Sequence, residues 1–301
     1  MLQSPDYVAS FAVYITLAVI PPSLLSMRHL KIIGLLLSVT LIAGCSALQG
    51  GKLLAPESFG LTPVAPGLYI EAGADEATRD ELREAMANAE NAIRNTYGSV
   101  NSRPIINACI SEGCYKTFGG QGSTAGGAYV FINRILLSPR GLNWHFLAHE
   151  WSHAELLSRL TFITWWRKPV WFDEGLAVVV SEAPEHSESH WQFLTSNNIP
   201  RPTREELHAI KSLKQWNDAI HRYGEDKNIE RKAKGDPILN PVYTAAGQEI
   251  RPWLAKVGSS GLLAFIARLN DGGDFESAYQ AANTAVKRDA PQATLAPRRS
   301  P

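Results

Sequence analysis

His149-Glu150-Trp151-Ser152-His153, flanked by Phe146-Leu147-Ala148 and Ala154-Glu155-Leu156-Leu157, is the stretch around which the rest of the chain is organised. No proline or glycine interrupts residues 142–160, and most of them favour a helix. On a helix, positions i and i+4 lie on one face, so His149 and His153 can aim two imidazole nitrogens at a single point. Glu150 is turned about 100° further round. It is too far round to join the histidines as a ligand, but it can reach a water held by an ion between them.

This is the His-Glu-x-x-His arrangement of zinc hydrolases. A catalytic zinc needs three protein ligands and an open fourth position. A source for the third lies downstream in Trp171-Phe172-Asp173-Glu174-Gly175-Leu176-Ala177, which begins 18 positions after His153. The two motifs together resemble the gluzincin metallopeptidases, whose third ligand is the Glu of an Asn/Asp-Glu-Gly-Phe/Leu-Ala type sequence. The resemblance implies His149, His153 and Glu174 as zinc ligands, from two antiparallel helices, and Glu150 as the general base. It covers about Ala128 to Ala177 closely and the rest of the chain loosely.

The fold implied is α+β, with a thermolysin-like metallopeptidase core over 67–285. It comprises a small N-terminal mixed sheet with the active-site helix and a mainly helical C-terminal part. The resemblance also implies an edge strand before that helix that pairs with extended substrate, which places residues 127–131 along the cleft; an internal strand is the other reading. Tyr243 is the candidate donor to the oxyanion of the tetrahedral intermediate, with a buried structural tyrosine as its alternative. One position departs from the pattern. Several gluzincins carry a histidine-orienting Asp four residues after the third ligand, where this chain has Val178. Asp173 or Glu182 is left to support a ligand histidine from behind.

The N-terminal sequence bears on location. Met27-Arg28-His29-Leu30-Lys31 is basic, 32–43 is apolar apart from Gly34, Ser38 and Thr40, and Ala43-Gly44-Cys45 follows. This is the order of a secretory signal, and it resembles a bacterial lipoprotein signal over 27–44, cleaved before Cys45 with lipidation of that thiol. Ser46, in place of Asp, favours the outer membrane, with the protein facing the periplasm. Residues 1–26 hold a second apolar run too short for a comfortable span and are expected to be an upstream extension, with translation beginning at Met27. Residues 45–66 read as a tether and 286–301 as a disordered tail.

Of three cysteines, Cys109 and Cys114 remain once Cys45 is lipidated. In an oxidising compartment they are expected to form a disulfide. Twenty-nine Lys and Arg balance twenty-nine Asp and Glu, which argues against a basic nucleic-acid-binding surface. The oligomeric state is not readable.

The other elements follow from periodicity. Strands are expected at 68–70, 104–110 and 128–137, with a helix over 76–96 ending at Gly98. Ser138-Pro139 is expected to cap the active helix, and Thr203 with Glu206 to form a capping box. A mobile loop is expected over 224–236 and a kink at Pro252. The functional expectation is a zinc peptidase acting on a peptide or protein substrate. Two alternatives stand beside it: an envelope lipoprotein that keeps the scaffold only for binding, and a zinc amidase acting on cell-wall peptides.

Overall fold

Short runs of branched residues form a five-stranded mixed sheet in the order β1-β2-β3-β5-β4. The strands are β1 (Leu61–Ala65), β2 (Leu68–Glu71), β3 (Ile105–Ala108), β4 (Gly126–Tyr129) and β5 (Arg134–Leu137). β1 and β2 form an antiparallel hairpin, and β2, β3 and β5 run parallel. The parallel step from β2 to β3 requires a crossover, which α1 (Glu76–Tyr97) supplies. Its Leu82, Ala85, Ala89, Ile93 and Tyr97 are buried at helical spacing, and Gly98 ends it at φ 73°.

The computed structural model describes residues 51–120 and 126–289. The signal segment, Cys45, residues 1–26, the middle of the glycine-rich loop and the tail beyond Asp289 lie outside the described residues. No helix among the described residues is long and apolar enough to cross a membrane.

The chain divides into two compact units. One comprises residues up to Asn91 with Ser102–Ala154, and the other Ala92–Asn101 with Glu155 onward. Cuts fall inside two helices, α1 and α3 (Trp144–Arg159).

In the first unit, three expectations are corrected. The strand expected over 128–137 is a hairpin: β4, a 3-10 turn at Val130–Ile132, Asn133 at φ 52°, then β5 antiparallel to β4. A left-handed Asn is a turn-maker that strand propensity does not register. Residues 51–66 are not a free tether: Pro56–Phe59 form a 3-10 helix, β1 follows, and Leu53 is buried with Cys109, Tyr115 and Phe118. Ser138 makes no capping bond; Pro139–Gly141 is a separate 3-10 turn, and α3 is capped by the Asn143 side chain, which accepts from the His145 and Phe146 amides at 3.0 and 3.2 Å. Cys109 and Cys114 are joined as expected, their sulfurs 1.93 Å apart, across the start of α2 (Glu112–Thr117).

The second unit is helical. After α4 (Phe162–Arg167) and α5 (Val170–Ser181) come α6 (Glu188–Ser196), α7 (Arg204–Ala209), α8 (Leu213–Tyr223) and α9 (Asn228–Lys234). The unit closes with α10 (Pro241–Asn270) and α11 (Phe275–Asp289), the latter running past the expected tail boundary at 286. The capping box of Thr203 and Glu206 is present, and Ser212 with Gln215 makes a second. The expected loop over 224–236 is a 3-10 turn and α9, ended by a left-handed Gly235. α10 continues through Pro252 and breaks instead at Gly258, whose φ of 65° glycine tolerates.

α5 packs along α10 on glycines. A Cβ on Gly175 would lie 2.7 Å from the Ala246 carbonyl oxygen, and one on Gly247 would lie 2.5 Å from Val178 Cγ1. Trp171, Phe172, Trp253, Phe265, Phe275 and Tyr279 form the aromatic core beside this crossing, with Trp253 and Tyr279 stacked at 4.9 Å.

Candidate metal centre

α3 carries the first part of the site. His149, Glu150 and His153 are all buried, a costly place for three polar side chains unless they have a task. The two imidazole rings stand 5.1 Å apart at 80°, one helical turn apart on the same face. Trp151, on another face, is fixed by its indole N–H donating to Ser102 Oγ at 3.0 Å. Glu150 Oε2 is buried and has no hydrogen-bond partner among the described residues. A buried carboxylate oxygen in that condition costs free energy, which makes it a place where a water or a ligand is wanted.

α5 carries the carboxylate. Eleven of its twelve residues are buried, Glu174 among them. Gly175 explains its own place in the motif, because only a residue without a side chain allows α5 and α10 to approach so closely. His149, His153 and Glu174 each offer one ligand atom, and the three atoms lie within 4.8 Å of one another. The group could hold a metal ion.

No family model matches this chain, and no curated protein matches it.

Two residues were expected to support a ligand histidine, Asp173 and Glu182. Asp173 accepts from Lys168 Nζ at 2.6 Å, an ion pair in which both side chains are almost wholly buried. Lys168 also lies 3.7 Å from the Trp165 ring centre. Its place in the connector between the motif helices gave no sign of this. Glu182 is exposed at the left-handed C-cap of α5. Val178, where the pattern has an acid, fills the gap over Gly247. Tyr243 lies in the first turn of α10, stacked on His186 at 5.2 Å and meeting Trp216 edge-on at 5.0 Å.

Several polar residues that read as surface are not. Glu155 is fully buried and accepts from the Asn101 amide at 2.8 Å and from Arg159 Nε at 2.9 Å. His208 stacks on Trp171 at 4.3 Å and bonds Glu249 at 3.0 Å. Burial alone would raise the Glu249 carboxyl, but hydrogen bonds from His208 and Arg204 outweigh it and hold it at about 2. His221, paired with Asp226, is exposed.

Glu225 was missed altogether. It looked like one charge in the run Glu225-Asp226-Lys227, yet its side chain is buried, and Oε1 accepts from the Val242 and Tyr243 amides at the start of α10. Burial pushes its carboxyl up to about 8, and the nearby Glu174 charge pushes the same way. No local sequence signal marks such a residue, because its environment is made by α10, which follows it in the chain.

The other cluster of possible ligands is closed to a metal in this state. Cys109 and Cys114 are bonded to each other, and Glu71 accepts from the Ile110 and Ser111 amides at 2.9 and 2.8 Å.

Proposed function

We propose that this chain is a zinc-dependent metallopeptidase of gluzincin type, lipid-anchored through Cys45 at the bacterial cell envelope and facing the periplasm. The observation that carries the reading is the convergence of ligand atoms from His149, His153 and Glu174, with the partnerless Oε2 of Glu150 one residue from the first ligand. Two imidazoles and a carboxylate form the donor set of a catalytic zinc, and three protein ligands leave a fourth position for substrate or water. A thermolysin-like core is the finer reading of the fold, supported by an edge strand ahead of the ligand helix and a helical second unit.

Zinc held there would polarise a carbonyl and lower the pKa of a water. With zinc bound, Glu150 would take a proton at Oε2 from a water as its oxygen bonds to the substrate carbonyl carbon, and would give that proton to the amine as the C–N bond breaks. β4 offers its edge to an extended peptide by main-chain pairing. Tyr243, braced by His186 and Trp216, is the donor to the oxyanion.

The test is cleavage of a peptide library, supplemented with cell-wall peptides, by the full chain and by Glu150→Gln at equal zinc content. Wild type is expected to cleave, with the variant slower by about 100-fold or more. Cleavage confined to cell-wall peptides would assign the amidase instead. Zinc-loaded wild type that cleaves nothing would favour the binding scaffold.

A further inference from the structure

We infer that the first unit rests directly on the bilayer surface, through an apolar patch formed by Leu54, Phe59 and Ile110. The inference rests on the lipidation of Cys45 proposed above and does not involve the metal centre. Leu54 is 55% exposed, Phe59 43% and Ile110 37%, large apolar side chains left open among the described residues. Each lies against one small core. Leu54 follows the buried Leu53, Ile110 follows the buried Cys109, and Phe59 meets the buried Phe118 edge-on at 6.3 Å. Their backbones are tied together as well. Ala72 N–H donates to the Gly60 carbonyl at 2.8 Å, and Glu71 in turn accepts from the Ile110 amide. These bonds hold the segments that carry Phe59 and Ile110 to the end of β2.

The length of chain between the lipid and this core identifies the occupant. Leu53 lies eight positions after Cys45, and even fully extended that length spans no more than about 28 Å. Leu53 is pinned in the core. A lipid on Cys45 therefore keeps Leu53 within about 28 Å of the membrane.

Three side chains are too few to bind a bilayer alone. Tethering makes their contact intramolecular, so a weak apolar insertion into the headgroup layer becomes the resting state. The charges around the patch are mixed. Lys52 bonds the Thr117 carbonyl and lies 5.7 Å from the Phe59 ring centre, Lys116 is exposed, and Glu57 and Glu112 are exposed beside them. Apolar insertion is thus the attraction, and anionic lipid adds little.

The test uses the full, lipid-modified chain with labelled Leu and Ile methyl groups, in phosphatidylethanolamine nanodiscs carrying a gadolinium-chelated lipid headgroup. Leu54 and Ile110 methyl signals should broaden several-fold more than those of Ile229 and Ile163, which are just as exposed at 54% and 61%. The ranking should be unchanged when phosphatidylglycerol is added. Leu54→Glu with Phe59→Glu should abolish the excess at Ile110 while the chain stays on the disc. Equal broadening at all four positions, or the strongest at Ile163, would overturn the inference. The mass of the Cys45 peptide separates the two failures: an unmodified Cys45 removes the anchor and with it the inference, while zinc binding and cleavage stand unaffected.

Discussion

Gly126 leaves the room that Glu150 occupies: a Cβ built on Gly126 would lie 3.3 Å from Glu150 Cγ and 3.1 Å from the Leu136 carbonyl oxygen. The first residue of the edge strand and the proposed general base are thus packed against each other. Gly126→Ala should cost about 1 kcal/mol in stability through overpacking. It should also lower turnover with zinc content unchanged, as the base is pushed aside. Denaturant titration and steady-state cleavage test this; unaltered turnover would show that the close approach has no part in catalysis.

The same reasoning applies at the crossing of α5 and α10. Gly175→Ala should destabilise the fold by about 1–3 kcal/mol, despite the roughly 1 kcal/mol by which Ala is the better helix former. Its neighbour at the crossing is a backbone oxygen, which cannot swing away. The one close clash of Gly247→Ala among the described residues is with the Val178 side chain, so Val178→Ala should rescue it in the double variant. Strict additivity of the Gly247 and Val178 changes would contradict this packing.

Lys168 and Asp173 form a buried ion pair just ahead of Glu174. Lys168→Met should cost about 3–5 kcal/mol, because it strands a buried charge. Lys168→Met with Asp173→Asn should recover much of that loss. A single variant as stable as wild type would mean that the pair contributes nothing to holding α5.

Glu225 gives the metal-free protein a pH signature. Its carboxyl titrates near 8 when folded and in the ordinary range when unfolded, so the folded state holds the proton more tightly. Its contribution is fully present below about 4.5 and is lost as the pH rises through about 8. Glu225→Gln, which keeps the oxygen that accepts from Val242 and Tyr243, should melt higher than wild type at pH 8 and show a smaller difference at pH 5. Melting temperatures measured with a chelator present check this; a difference independent of pH would refute it.

Legibility in the sequence followed physical range. His149, Glu150 and His153 could be placed because one helical turn fixes their geometry, and Glu174 because its motif marks another helix. α1 and the Thr203 cap were equally local. The hairpin at Asn133, the break at Gly258 and the folding of residues 51–66 onto the sheet were not legible, since each depends on a single dihedral or on a distant partner. The burial of Glu155, Lys168, His208 and Glu225 was not legible for the same reason: the groups that bury them come from elsewhere in the chain.

The measurement that tests the central claim most directly is zinc per folded chain, for the full protein and for His153→Ala and Glu174→Gln. Wild type should retain one zinc through dialysis, and each variant should lose it while still folding. A folded wild type that takes up no zinc, or variants that bind it as tightly as wild type, would contradict the assignment of His149, His153 and Glu174 as its ligands.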